Sequence, residues 1–477
     1  MPITGADRAG AKDARETPKT TSVTETPRRP LRSLGDLCAK AFFLPLLAVL
    51  LLAAEAVGLA AQFDRDLTRF VLVALAQGAV WSVAAVAVAR ATGGRPALSL
   101  ILATAVLLRA GALAAPVYLS DDIYRYIWDG RVQAAGINPY RYIPTDPQLA
   151  PLRDETVFPN INRNNYAPTI YPPVAQMLFL AATRFGETVT AMKLVLVAVE
   201  AIGIGALLFV LRATGKPREN VLLYAWHPLP VWEIAGAGHV DAAVVAFVAL
   251  ALAAAVTGRR AWSGAALAAA SLVKFFPLLV VPALWRPARS NLGDWRWPAG
   301  FAAVIVVAYL PYLGVGERVL GFLPTYLSEE DLASGSGFWV LDLVRRAVPV
   351  PVSAYFALVL TVMVGLAIGA LRRPADPVAS LRWATALSTA ATVFTSPHYA
   401  WYFVWLLVPL CVTPWWPAYW PTLTAVLLYW RTETGHIPIW VGFAIYGGFV
   451  IFGCIDIARR SVCATRSGEQ HGSHRAR

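Results

Sequence analysis

The stretch "YLSDDIYRYIWDGRVQAAGINPYRYIP", residues 118–144, follows directly on a long apolar run and gathers Asp121, Asp122, Arg125, Asp129 and Arg131. The chain as a whole is only 15% charged, so this density is a local departure. A carboxylate at an aqueous edge can accept the proton of an attacking group. Guanidinium groups can hold phosphate, or they can pair with the acids and fix them in place. The structural alternative for Asp121 is a helix cap, its side chain accepting from first-turn N–H groups. Capping explains one acid and does not require two.

The elements that must position these groups are membrane helices. Hydrophobic residues make up 57% of the 477, and mean hydropathy is +0.54. Charged residues fall well below the roughly 25% usual in soluble domains. Continuous apolar runs approach the ~20 residues that cross a bilayer as a helix, and they lack the alternation of barrel strands. Candidate spans fall near 38–60, 67–90, 97–117, 188–212, 221–238, 240–257, 261–273, 275–286, 298–316, 351–371, 380–395, 399–416, 417–430 and 437–458. The expected fold is an all-α polytopic membrane protein, a bundle of about 12–14 transmembrane helices.

The formal charge of +12 lies largely in the flanks, "RRPLR" before the first span and "ARR" with "RSGEQHGSHRAR" after the last. Such flanks mark the cytoplasmic side and anionic lipid rather than nucleic acid. Residues 1–35 read as a disordered basic cytoplasmic tail, 36–460 as the transmembrane domain and 461–477 as a second cytoplasmic tail. The first apolar run is too long for a cleavable signal peptide. Cys38, Cys411, Cys454 and Cys463 show no metal-type spacing, and no disulfide framework is expected.

One assumption orders the loops. The segment "YPPVAQMLFLAATRFG", 171–186, is short for a span and opens on Pro172 and Pro173. Taken as in-plane or re-entrant, it leaves "RATGKPREN" (212–220), Arg90, Arg95, "GRR" (258–260), Arg286 to Arg296, Arg372, Arg373 and the C-terminal "ARR" on one side. The positive-inside tendency makes that side cytoplasmic, with both termini there. The external face then receives 118–187, His239 and Asp241, the region of Lys274, 317–350, "SPHYAW" (396–401) and "RTETGH" (431–436). Nearly all the unusual polar residues gather on that face, as an active or binding site there would require.

The segment 118–187 is far longer than a turn needs, and such loops are usually functional or disordered. Tyr118, Tyr124, Tyr126, Trp128, Tyr140, Tyr142 and Tyr171 give it too much to bury for disorder, and these residue types favour the headgroup zone. "DDIYRYIWDGRVQAAG" would form a short amphipathic helix ended by Gly136. Ile123, Ile127 and Trp128 would lie on one side, with Arg125, Asp129 and Arg131 on the other. It reads as an interfacial helix capping the bundle.

Four motifs then carry a resemblance. In this order, "SDDIYRYIWDGRVQAAGINPY", "TIYPPVAQ", "SLVKFFPLL" and "SPHYAWYFVWLL" resemble the GT-C glycosyltransferases. They look like the polyprenol-phosphate-sugar-dependent branch that includes bacterial α-mannosyltransferases (glycosyltransferase family 87-like). The likeness covers most of the chain beyond residue 100, with the acidic loop after the third span instead of the first. The resemblance implies transfer of a hexose, mannose above all, from a polyprenyl-phosphate donor to a hydroxyl of a glycan or glycolipid acceptor. It places the reaction on the extracytoplasmic face of the cell membrane. It also implies Asp121 as general base, Asp122 as helper or metal ligand, and cations or a divalent metal stabilising the leaving phosphate. No other cofactor is implied.

On this reading donor phosphate contacts are expected from Lys274, Arg125, Arg131 and His398. Sugar or acceptor contacts are expected from Tyr124, Asn138, Tyr140, His239, Asp241 and Tyr399. Each has a plainer alternative. Lys274 interrupts "ALAAASLVKFFPLLVV", where a charge costs about 2.5–3.5 kcal/mol on insertion scales, and it could snorkel or form a structural pair instead. His398, beside Tyr399 after Pro397, could be a satisfied interfacial histidine. His239 and Asp241 in "GAGHVD" could cap the following helix, and two residues do not make a metal site. Arg125 and Arg131 could pair with Asp129 and Asp122, while Asn138, Pro139 and Tyr140 read as a turn. "SEED" (328–331) reads as a solvated loop, and "TPWWPAYW" (413–420) as an aromatic belt.

Two rival functions share these features. A transporter or lipid flippase would show two related halves and polar breaks near the midplane, and no convincing internal repeat is present. A lipid-linked oligosaccharide ligase or polymerase shares large external loops but would consume a lipid pyrophosphate.

Overall fold

Apolar runs in lipid become helices because a helix satisfies every backbone donor and acceptor within its own segment. The computed structural model describes residues 34–90, 95–285, 295–323, 325, 329, 334, 335, 337–374, 376–431 and 437–459. Every regular element among them is helical. Residues 1–33 of the expected first tail, all of the second, most of "SEED" and "RTETGH" beyond Arg431 lie outside the described residues, as do the arginines of 286–294; Leu34 and Gly35, expected in the tail, are helical. The chain divides into two units, Met1–Phe43 and Leu44–Arg477; apart from the start of the first helix, up to Phe43, the helices and sites below belong to the second.

Among the described residues, six segments are long and apolar enough to cross a bilayer: Phe43–Phe63, Leu67–Arg90, Val189–Ala213, Arg296–Leu320, Val352–Leu371 and Ile439–Arg459. The protein is an all-α polytopic membrane protein. Helix α1 covers Leu34–Phe63 and α2 Leu67–Arg90. On α2, Phe70, Ala74, Gln77, Trp81 and Ala84 recur at helical spacing and are buried, while Leu72, Val83 and Val86 stay exposed, as a lipid-facing side would.

Several other runs do not form whole helices. The 221–238 run becomes Arg218–Val221, Leu222–Ala225, Pro228–Pro230 and a π-turn at Val231–Gly236. The 275–286 run becomes Phe276–Val280 and Val281–Leu284, and 399–430 splits into four short pieces. Pro228, Pro230, Pro277, Pro282, Pro409, Pro417 and Pro421 lie in these runs. Each proline removes a backbone donor and clashes with the preceding turn.

Helix α3 (Arg95–Ala112) leads into a long connection that carries α4 (Asp122–Ala134) and α5 (Pro173–Thr183) before α6 (Val189–Ala213). Deep in the bundle, Arg109 on α3 grips Glu200 on α6 with two bonds, Nε to Oε2 at 2.9 Å and Nη2 to Oε1 at 2.7 Å. Tyr224 donates to the same carboxylate at 2.9 Å, and Arg109 Nη1 donates to Ala225 O at 2.7 Å. Charges at this depth persist only when paired. This pair ties α3, α6 and the 222–225 turn together.

Helix α4 departs from the expected one-sided amphipathic helix. Ile123, Tyr126, Ile127 and Trp128 are buried, but so are Arg125 and Asp129 on the polar side. The cover comes from α5 and the segment leading into it. Tyr126 stacks on Phe179 with ring centroids 4.6 Å apart. Gln176 Nε2 donates to Asp129 Oδ2 at 2.9 Å, and Arg125 Nη2 donates to Ala167 O at 3.1 Å.

Candidate active site

A helix that stops leaves carbonyls without partners, and a helix that starts leaves free N–H groups. The helix Arg260–Ser271 stops at Leu272, and α5 begins beside it on Pro173, whose missing N–H needs no partner. Val174 N and Ala175 N both donate to Leu272 O, at 3.0 and 3.2 Å. That junction seats Lys274, two residues further on, against the α4–α5 layer.

A cavity of about 440 Å³ opens at this junction. Its wall takes Asp121, Asp122 and Arg125 from the start of α4, Asn162, Arg163 and Tyr171 from the loop before α5, and Lys274 with Phe276. Tyr399, Trp401, Tyr402, Tyr429 and Arg431 close the other side. Segments that the charge pattern assigns to a single face thus meet in one space.

At the acidic end, Asn162 Nδ2 donates to both carboxylates, to Asp121 Oδ1 at 3.0 Å and to Asp122 Oδ1 at 2.8 Å. Tyr171 OH donates to Asp122 Oδ2 at 3.2 Å. Asp121 stands at the N-cap of α4, yet its side chain makes no capping bond, so its carboxylate faces the cavity instead of the helix. Although this side chain is exposed to the opening, surrounding protein displaces enough water to push the Asp121 carboxyl above its ordinary value; the Asp122 charge adds to that, and Asn162 pulls against it. A divalent cation would find its oxygen ligands at this same pair. Among the described residues no group of three or more His, Cys, Asp and Glu gathers.

At the basic end, Lys274 Nζ pairs with Asp241 Oδ2 at 2.5 Å and lies 4.7 Å from the Tyr402 ring centroid. Asp241 opens the helix Asp241–Val256 and is fully buried. Behind it, His239 stacks on Trp401 at 4.0 Å, with Nδ1 3.1 Å from Glu233 Oε2. Tyr429, itself on the wall, donates to Glu233 at 2.8 Å. Glu233, His239 and Asp241 therefore form a polar layer directly beneath the cavity floor. Tyr399 stacks on Trp401 at 4.7 Å, and the Arg431 guanidinium lies 5.0 Å from the Tyr399 ring centroid.

The remaining expected residues sit elsewhere. Arg131 is held by Asp154 at 2.8 Å and Glu187 at 2.7 Å, away from the wall. His398 Nε2 donates to Gly337 O at 2.8 Å, while its carbonyl accepts from Arg431 at 3.1 Å, so it touches the cavity through Arg431. Asn138 closes a turn, accepting from Tyr140 N at 3.1 Å and donating to Tyr312 O at 3.0 Å. Tyr140 OH donates to Tyr171 O at 2.7 Å, and Tyr124 packs half-buried against the core. Arg125 reaches the wall already tied to Asp129 at 3.1 Å. Asn162 and Glu233 escape sequence reasoning. The first is one amide among several in "PNINRNNY", and the second hides inside the apolar "VWEIAG".

Two carboxylates with arginines beside them, a lysine and a further arginine in the same cavity, and aromatic walls suit a phosphorylated sugar. Residues 47–288, just over half of the chain, match the family model described as alpha-(1->6)-mannopyranosyltransferase, N-terminal domain. The match takes in Asp121, Asp122, Asn162, Asp241 and Lys274, while Tyr399 to Tyr402 and Arg431 lie beyond it. No curated protein matches the chain. The chain belongs to the alpha-(1->6)-mannopyranosyltransferase family, and it is a mannosyltransferase built into a membrane.

Proposed function

We propose that the protein transfers mannose from a polyprenyl-phosphate donor to a hydroxyl of a glycan or glycolipid acceptor on the extracytoplasmic face of the cell membrane. The observation that carries this is one cavity holding an uncapped, raised-pKa carboxylate together with a lysine and three arginines. The acceptor oxygen attacks the anomeric carbon while Asp121 takes its proton. The bond from that carbon to the phosphate oxygen breaks, and its electron pair leaves with the phosphate. Lys274, Arg125, Arg163 and Arg431 line the space where that charge grows. Lys274 and Arg125 each have a carboxylate behind them, Asp241 and Asp129, so they are fixed in direction before substrate arrives. Asp122 and Asn162 hold the base. Tyr399 and Trp401 offer flat faces to a sugar ring, and the lipid tail lies along the apolar exterior at the cavity mouth.

The test incubates the purified protein with radiolabelled polyprenyl-phosphate sugars and follows which is consumed. Asp121→Asn should lower transfer by about 10²–10⁴-fold, the range of a lost general base, with insertion and gel-filtration behaviour unchanged. Full activity in both Asp121→Asn and Asp122→Asn would remove the base assignment. Cysteine labelling of 118–187 from outside intact cells tests the placement, and labelling only after permeabilisation would overturn it.

A further inference from the structure

Glu233 is 1% exposed inside the apolar "VWEIAG", and the transfer step drawn above gives it no part. An acidic side chain persists in such a place only when its oxygens are engaged. The π-turn Val231–Gly236 arranges this. It shifts the backbone pairing by one residue, so Ala237 N donates to Trp232 O at 2.7 Å and Glu233 O is left to His239. His239 N donates to that carbonyl at 2.9 Å. His239 Nδ1 lies 3.0 Å from the same carbonyl and 3.1 Å from Glu233 Oε2. A carbonyl can only accept, so Nδ1 carries a proton.

Two paths lead from Glu233 to Arg431. Along the first, Tyr429 OH donates to Oε1 at 3.0 Å and to Oε2 at 2.8 Å. Tyr429 stands on the cavity wall, and Arg431 N donates to Tyr429 O at 3.0 Å. Along the second, the held imidazole of His239 stacks on Trp401 at 4.0 Å, Trp401 stacks on Tyr399 at 4.7 Å, and the Arg431 guanidinium lies over the Tyr399 ring, 5.0 Å from its centroid. The backbone and the guanidinium of one cavity arginine are thus both rooted in one buried side chain.

We infer that Glu233 is a positioning residue for the transfer: it touches no substrate and sets the place of Arg431 beside the departing phosphate. This rests on the part given to Arg431 above. What the arrangement asks of Glu233 is an acceptor at the Oε2 position, where Tyr429 and His239 meet. A glutamine oxygen placed there serves equally, whereas methionine keeps the volume and accepts from neither.

The test labels the purified full chain with the arginine reagent phenylglyoxal, reads position 431 by peptide mass, and measures kcat/KM for the polyprenyl-phosphate donor. A guanidinium held over an exposed ring is favoured by roughly two- to fivefold. In E233M, labelling of Arg431 should quicken by about that factor and kcat/KM should fall by it. Y429F, which keeps Glu233 and the ring but lacks the donor, should shift both in the same direction by less. E233Q should behave as wild type. E233M placed on R431Q should lower kcat/KM no further than R431Q alone, because both remove the same contribution. Wild-type labelling in E233M and Y429F would overturn the inference. So would E233Q as impaired as E233M, or an E233M loss that persists in full on R431Q. R431Q with wild-type kcat/KM would instead remove the phosphate role of Arg431, and the labelling rates would still decide whether Glu233 anchors it.

Discussion

Lys274 offers a perturbation whose structural and binding consequences can be separated. Its side chain is 10% exposed and that of Asp241 is 0% exposed, with 2.5 Å between them. Asp241 Oδ1 has no hydrogen-bond partner, so the lysine carries the whole compensation for that carboxylate. Lys274→Ala strands a buried charge, and removing one partner of such a pair costs about 3–5 kcal/mol. The thermal midpoint in detergent should fall sharply. Lys274→Met combined with Asp241→Asn removes both charges and keeps the volumes, and such replacements are often neutral. The double variant should therefore recover most of the midpoint. It should not recover donor affinity. A charge-assisted hydrogen bond to phosphate contributes about 1.5–3 kcal/mol, so the apparent KM for the lipid-phosphate donor should rise by roughly 10- to 150-fold. Transfer assays on both variants, read beside the midpoints, give the answer. A double variant that is stable and keeps the wild-type donor KM would show that Lys274 only neutralises Asp241, and the phosphate role would fall.

Other consequences are narrower. The Asp121 carboxyl lies above its ordinary value of 3.8, so proton acceptance switches on as pH rises through that higher value, and the acid limb of kcat/KM should sit above 3.8. Asn162→Ala removes a donor that favours the charged form and should move that limb up, while Asp122→Asn removes a like charge and should move it down; limbs that do not move in pH–rate profiles would contradict this account. Glu200→Ala leaves Arg109 buried without its carboxylate, which should cost about 3–5 kcal/mol, seen as a lower thermal midpoint and poorer membrane yield with the donor KM unchanged.

The long spans could be read from hydropathy because lipid demands both length and apolarity. Val189–Ala213 and Val352–Leu371 fall within two residues of the runs that sequence marks as 188–212 and 351–371. Hydropathy is blind to the breaks, since two short apolar pieces score like one long one. The prolines were the available signal, and they mark where 221–238 and 275–286 come apart. The acidic pair stood out by density alone. Asn162 and Glu233 did not, because their roles rest on partners 40 and 196 positions away, Asp122 and Tyr429. Arg125 kept its acid partner Asp129 but not its place at the surface. A helical wheel cannot show that Ala167 O and Gln176 would cover that face.

The breaks and the cavity explain each other. Irregular backbone at membrane depth is tolerated only where protein covers it or where it lines a wet space. The turn Phe276–Val280 follows Lys274, Ala400–Leu406 follows Tyr399, the π-turn Val231–Gly236 precedes His239, and α5 starts at Pro172 and Pro173. All four breaks converge on the same cavity or its floor. In an unbroken helix through residues 260–284, Leu272 O would accept from the N–H four residues ahead. Val174 and Ala175 would then lose their acceptor, and α5 would have no anchor beside Lys274. Lys274 shares the cavity with the acidic pair because its helix stops short, so the discontinuity in the span is what assembles the cavity wall.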